Sequence, residues 1–455
     1  AVGPRYQRPE GVAPAAYRAV PEDPASFADL PWFEVFQDEA LRRHVEEALA
    51  GNRDLLAAAA RVEQARGLAA VQRGELFPQA AFELDAFRES GTTFGAPTAG
   101  DRTQSNYLGL LNAAWELDVW GRIRRATEAA LAELLATEAF RRGVVLSLVT
   151  GVAQAYFELR EVGLELAITL RPVESFTEPG ALFDRQFRGG ITSKLDPLRG
   201  EAALAQAAAA VPDLQRRIVA KENELSVLLG RPAGGIERGA VLTAQELPPE
   251  VPAGIPSQLL ERRPDVIQAE QILHAETARI GEAFANFFPR IGLTAAAGRT
   301  SGELDSVLSG PSFWTLVGSA VGPIFTFGRT WYGWRAAEDA AKAALHEYEQ
   351  SVLIALADVS NALTARERLV AVRVEQERAV EALTEALRVA RIRYVGGLAS
   401  YLEVLDAQQQ LFPAELDLAR TRRDELLAVV ALYRALGGGW QEAPPAPAIP
   451  LPLAP

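Results

Sequence analysis

The chain of 455 residues contains no cysteine and no methionine. The first absence excludes disulfides, a thiol nucleophile and a thiolate metal site. Together the two remove the soft sulfur donors that would hand copper or silver along a path. Only three histidines occur, His44, His274 and His346, each alone on a helix-patterned stretch. No His-x-x-x-His pair, phosphate-binding glycine loop or nucleophile elbow accompanies them, so no metal, cofactor or catalytic role is expected. Basic residues are outnumbered, 46 Lys and Arg against 59 Asp and Glu, for a formal net charge of −13. That balance argues against nucleic acid as a partner. No apolar run reaches the roughly 18 residues of a membrane-spanning helix; the richest stretch, 143–153, is interrupted by Ser147 and Thr150. With 49% hydrophobic and 23% charged residues, the chain is too apolar for a disordered one. Such a composition reads as a large acidic globular protein. A transmembrane β-barrel passes the same filter, because its strands alternate and never form long apolar runs.

What is present is an internal repeat. Residues 54–78 read DLLAAAARVEQARGLAAVQRGELFP and residues 265–289 read DVIQAEQILHAETARIGEAFANFFP, at an offset of 211. Further on, Trp120-Gly121-Arg122 answers Phe327-Gly328-Arg329, Gly189-Gly190 answers Gly396-Gly397, and Leu229-Gly230 answers Leu436-Gly437, all at an offset of 207. One change of offset places a single length difference in the interval from Pro78 to Gly121, 43 residues, against 39 from Pro289 to Gly328. The chain thus reads as two copies of one unit of about 210 residues.

Each unit has the same parts. A helix (53–75, 264–287) is stopped by Phe-Pro, since proline cannot continue a helix and biases its predecessor to extended geometry. Two extended runs follow, 79–89 and 105–117 in the first copy, 290–298 and 313–327 in the second, with weak period-2 patterning. Each is about the 9–11 residues that a tilted strand needs to cross a bilayer. A long helical segment comes next (121–189, 328–396), roughly 100 Å if continuous at 1.5 Å per residue. A Gly-Gly turn leads to a returning helix (195–229, 401–436). Pro172 and Pro179 are expected to kink or break the first long helix, whereas Pro197 suits a first helical turn. The alanine runs at 201–211 and 335–345 allow close helix approach and also have high helix propensity. Residues 1–31 and 442–455 are proline-rich and irregular.

On these motifs the sequence resembles the TolC superfamily, and within it the OprM-like and NodT-like outer-membrane factors of tripartite RND efflux pumps. The resemblance is carried by VGPRYQRPE (2–10), GNRDL (51–55), AWELDVWGRIRR (114–125), LLERRPDVIQAEQIL (259–273), ANFFPRIGLTAAAG (285–298), GPIFTFGR (322–329), RYVGGLASYLEVLDAQ (393–408) and LYRALGGGW (432–440). It implies a mixed α/β membrane channel, mainly α. In that architecture a trimeric twelve-stranded β-barrel, four strands per protomer, is continued by a long α-helical barrel built on two internal structural repeats. It also implies a division of the chain: an N-terminal extended belt segment (1–37); helical barrel in repeat one (38–78 and 118–230) and repeat two (260–289 and 328–437); β-hairpins at 79–117 and 290–327; an equatorial linker (231–259); and a proline-rich tail (438–455). Two hairpins cannot close a barrel alone, and open sheet edges do not survive in lipid, so an oligomer is required on physical grounds as well. The implied partners are two further copies of the chain, a periplasmic membrane-fusion adaptor, an inner-membrane RND transporter and outer-membrane lipid. The implied place is the outer membrane of a Gram-negative bacterium, reaching into the periplasm. The family's members are lipoproteins whose first residue is normally a lipidated cysteine; Ala1 stands beside where it is expected, so that cysteine was removed or lies just outside this numbering.

The resemblance also implies site residues. Glu403 and Asp406, three apart on one helix face, match an acidic selectivity ring at the periplasmic entrance. As structure alone they are two solvated charges near a helix start, where acids suit the dipole. Asp196 and Tyr394 match gate positions. The arginine expected with them falls at Ala399, leaving Lys194 as a substitute. The turns Gly189, Gly190, Ile191, Thr192 and Gly396, Gly397, Leu398, Ala399 are expected to dock the adaptor. Trp115, Trp120 and Trp314 are read as membrane-interface anchors or as packing at the strand–helix junction. The expected function is a passive gated exit duct for drugs or other small toxic compounds. The alternatives are a TolC-like duct for type I protein secretion and a soluble helical scaffold, which would have no use for the two β-inserts.

Overall fold

The computed structural model describes residues 1–9, 37–90, 103–175, 195–245 and 260–438. Its elements run α1 (Glu39–Gly51), α2 (Arg53–Gly74), β1 (Gln79–Ser90), β2 (Thr103–Leu117), α3 (Arg122–Ser175), α4 (Leu195–Leu228), α5 (Pro264–Ala285), β3 (Arg290–Ser301), β4 (Ser312–Val321), α6 (Arg329–Val395) and α7 (Tyr401–Ala435). The starts of α2 and α5 stand at the 211 offset and those of α3 and α6 at the 207 offset. Among the described residues no helix is long and apolar enough to cross a membrane. The chain separates into two compact units.

The first unit holds the sheet, the segments around 60–139 and 268–350, and residues 1–9. Its strands are all antiparallel in the order β1-β2-β3-β4. Because alternate residues share a face, the register sorts the side chains. One face carries Phe82 and Leu84, Leu111 and Trp115, Ile291 and Leu293, and Trp314 and Leu316. The other carries Glu83, Asp85, Asn106, Asn112, Glu116, Arg290, Thr294, Thr300, Thr315 and Ser319, with Phe87, Leu108, Leu110, Phe313, Val317 and Val321 among them. On this second face Asn112 donates to Glu83 at 3.3 Å and Thr300 to Asn106 at 2.7 Å. The apolar face is open: Phe82 and Leu84 are each 76% exposed and Trp314 79%.

The helix-to-strand junctions follow from the Phe-Pro stops. Trp115 Nε1 donates to the Leu76 carbonyl at 2.9 Å and Trp120 Nε1 to the Pro289 carbonyl at 2.8 Å. Trp120 also stacks on Phe288, centroids 4.6 Å apart. Both indoles thus fasten strand ends to helix ends. Asp118 caps α3 by accepting from the Ile123 and Arg124 amides, which supplies two of the orphan donors of a helix start. Residues 1–9 lie along this unit: Val2 donates to the Trp120 carbonyl, and the Tyr6 hydroxyl donates to Glu270 while its ring stacks on His274. Helices α3 and α5 meet through Ala129, Ala132, Ala275 and Ala278, so here the alanines serve close approach as well as propensity.

One extended run ends early. The expected strand 313–327 stops at Val321, because Pro323 has no N–H for the ladder, and Phe327 takes a positive φ of 51°.

The second unit is helical and draws on the described parts of 37–59, 140–267 and 351–438. Helix α3 runs past Pro172 to Ser175, so Pro172 does not break it; Pro179 lies outside the described residues. Pro212 in α4 and Pro413 in α7 are likewise carried inside helices. Arg263 is a clamp: it donates to Asp265, to Asp358 and to the Ala435 carbonyl. At the start of α1, Asp38 accepts from the Ala40 and Leu41 amides, from the fully buried Tyr156 hydroxyl at 2.9 Å and from Gln245 at 2.6 Å.

Candidate functional site: the second helical turn and its carboxylates

Helix α6 ends where Gly397 enters the left-handed region, φ +69°. The Leu398 amide donates back to the Arg393 carbonyl at 2.8 Å and the Gly397 amide to Tyr394 at 3.0 Å. This paired closure needs a residue without a Cβ penalty at that position, and glycine supplies it. The reversal is therefore tight, and α7 begins at Tyr401. Tyr401, Val404, Leu405 and Ala407 bury themselves against Ala390, with Leu387, Tyr394, Ala203 and Leu204 packed around them. Tyr394 meets Tyr401 edge-on at 5.4 Å. Burial pushes the Tyr401 phenol up to about 12.

The turn has two outward features. Its apolar side chains stay in the open: Ile392, Val395, Leu398 and Leu402 are all exposed, Val395 at 85%. Its carboxylates differ in partner. Glu403 is met by Arg393 across the turn, Nε to Oε2 3.2 Å, whereas Asp406 accepts from the neutral Gln410 amide at 2.8 Å. The Glu403 charge is thus partly offset by an arginine, while that of Asp406 is met only by a neutral amide. Ala399 stands half-buried in the turn. Lys194, Gly189, Gly190, Ile191 and Thr192 lie outside the described residues. Asp196 is the second residue of α4, and its side chain is likewise outside them.

A second charged constellation lies along α3. Glu161 and Glu165, one turn apart, are each 1% exposed. Glu165 takes Arg217 of α4 at 2.6 Å and Arg420 of α7 at 2.9 Å. Glu161 has longer pairs, Arg423 at 3.4 Å and Arg217 at 3.8 Å. Burial, and then the Glu165 charge, push the Glu161 carboxyl up to about 7 against the pull of Arg423 and Arg217.

The histidines are separate. His44 faces the Glu237 carbonyl, His274 faces Glu128, and His346 faces Glu349.

One chain thus combines a four-stranded antiparallel sheet with helices of 54 and 67 residues. The model of the outer membrane efflux protein family matches residues 44–231 and 255–438. The chain belongs to that family. The solvent efflux pump outer membrane protein SrpC of Pseudomonas putida is 37% identical over 409 residues, covering 90% of this chain and 87% of its own. The cation efflux system protein CusC of Escherichia coli O6:H1 is 31% identical over 447 residues, covering 97% and 96%. Among solved structures, the open state of the Neisseria gonorrhoeae MtrE outer membrane channel superposes with a TM-score of 0.87 at 31% identity, covering 96% of this chain and 98% of that one. An outer membrane efflux protein is a channel component of the outer membrane and not an enzyme.

Sequence reasoning overlooked two features of this efflux protein. Arg393 as the partner of Glu403 was hidden because the pair spans a turn, ten residues apart, where helical periodicity says nothing. The Glu161–Glu165 pair did carry a signal, two acids at i and i+4, which helical spacing places one above the other.

Proposed function

We propose that the protein is the outer-membrane exit duct of a tripartite RND-type pump, acting as a homotrimer that passes small toxic compounds outward. The observation that carries this is the two-faced four-stranded sheet. Its outer strands, β1 and β4, each have a partner on one side only in the chain, and an unpaired edge does not survive in hydrocarbon. Three copies supply twelve strands and close the barrel, apolar face to lipid and polar face to the lumen. The two halves of the chain are two structural repeats, each giving one hairpin to the barrel and one helical hairpin to the periplasmic part. The exposed Ile392, Val395, Leu398 and Leu402 around the Gly396-Gly397 turn suit the tip of an adaptor, which links the duct to the inner-membrane transporter. SrpC is named for solvent efflux, and the lack of Met and Cys speaks against a soft metal cargo. Small organic compounds are therefore the preferred substrate class.

The purified protein is expected to run as a trimer in detergent, with β signal beside dominant helix in circular dichroism. A monomer that stays in solution without detergent would overturn the reading. For the entrance, the acidic residues act as a cation-favouring ring. Asp406→Asn with Glu403→Gln is expected to lower the cation-to-anion permeability ratio in planar bilayers. Asp406→Asn alone should account for most of the change, because Glu403 is paired with Arg393. Unchanged selectivity in both variants removes the ring.

A further inference from the structure

The charges on the sheet are sorted by face more sharply than its apolar residues. Glu83, Asp85 and Glu116 all stand on the polar face. On the apolar face the only charges among the described side chains are Arg88 on β1 and Arg299 on β3, both exposed. They occupy equivalent places: each is ten residues beyond the Phe-Pro junction, Pro78 and Pro289, at the 211 offset that relates the two hairpins. Between them on the same face of β2 stands Tyr107, so Arg88, Tyr107 and Arg299 form a diagonal across three neighbouring strands. The face leaves the helix junction with Ala80 and Ile291, and each arginine lies eight residues further along its strand. Eight residues of antiparallel strand rise about 27 Å, or about 20 Å along the membrane normal at the usual tilt. The arginines thus sit at the hairpin-connection end of their strands, and the described strand residues of that face include no carboxylate.

We infer that Arg88, Tyr107 and Arg299 form a binding site for a phosphate-bearing lipid of the outer leaflet. This rests on the barrel reading, in which the hairpin connections face outward. A guanidinium on a lipid-facing surface is costly without an anion. At the rim it meets headgroup phosphates, for which its planar fork is suited. A tyrosine at the same height keeps its ring in the acyl layer and its hydroxyl among headgroups. In the trimer the site recurs three times around the outer rim, contributing six arginines.

The test uses the full-length protein reconstituted with lipid A, with enzymatically dephosphorylated lipid A in a parallel arm and inorganic phosphate in a third. Bound lipid is counted by native mass spectrometry after detergent exchange. Wild type is expected to retain lipid A and neither of the other two. Arg88→Gln and Arg299→Gln should each weaken retention about tenfold, and the double variant further, as loss of charge-assisted hydrogen bonds implies. Arg290→Gln, a charge removed from the polar face of β3, should leave retention at the wild-type level. Equal retention by the double variant, equal loss in Arg290→Gln, or equal binding of the dephosphorylated lipid overturns the site. The same spectra report the oligomer. A wild-type trimer that ignores lipid A overturns this site alone, whereas a wild-type protein that forms no detergent-bound trimer overturns the barrel reading with it.

Discussion

Tyr156→Ala should lower the unfolding free energy by about 3–5 kcal/mol, the range for emptying a fully buried aromatic site. The ring is completely buried, and its hydroxyl sits at a crossing of three segments. It donates to Asp38 at 2.9 Å and accepts from the Gly239 amide at 2.9 Å. Asp38 in turn caps α1 and receives Gln245. Truncation leaves a cavity and also strips partners from a buried carboxylate and a half-buried amide. Tyr156→Phe keeps the ring and should cost only about 1–2 kcal/mol. Thermal unfolding of both variants in detergent measures the difference; equal midpoints would mean that the hydroxyl network, not the ring, does the anchoring. The same hub sets an acid limit. Burial alone raises the Asp38 carboxyl, but hydrogen bonds from Gln245, Leu41, Tyr156 and Ala40 outweigh it and hold it below its ordinary value. A depressed carboxyl gives stability that is present above the unfolded value, near 4, and lost as pH falls through the folded one.

Glu161 works in the opposite sense. Its folded value, pushed up to about 7, lies above the unfolded one. Its favourable contribution is fully present below pH ~4.5 and disappears as pH rises through about 7. Above that, a second charge must be held beside Glu165 between three helices, at a cost of about 2 kcal/mol after allowance for solvent near the arginines. Glu161→Gln fixes the neutral form. The variant is expected to match wild type at pH 5 and to be the more stable at pH 8, so the difference between the two unfolding curves isolates this carboxyl from the other titrating groups. A difference that does not change with pH would falsify the assignment. Arg217 and Arg420 belong to α4 and α7, so the pH-sensitive contact joins the helix of one hairpin to the returning helices of both.

The repeat, the Phe-Pro stops and the glycine turns are local features, and they were legible in the residue order. Proline removes a donor wherever it stands, and glycine alone enters φ +69° without strain, so Pro78, Pro289 and Gly397 act the same way in any fold that contains them. The end of β4 was misjudged because hydrophobicity continued to Phe327 while Pro323 had already ended the ladder. Pro172 was a poor guide in the other direction: like Pro212 and Pro413 it is carried inside its helix, because a long helix held by packing tolerates one missing hydrogen bond. In the candidate entrance, the helix spacing of Glu403 and Asp406 was readable, but their unequal partners were not.

By itself, then, the sequence determined the order and approximate length of the elements, the places where the chain reverses, and the absence of any thiol. Only the tertiary structure decided which side of each strand meets which neighbour. Side chains alternate with a period of two, so a slip of one residue in pairing would carry Phe82 and Leu84 to the face of Glu83 and Asp85. The register that prevents it is a property of four strands together. The partners of Tyr156 and Glu165 were settled in the same way, because contacts across 52 to 255 residues of chain exist only once the helices have packed.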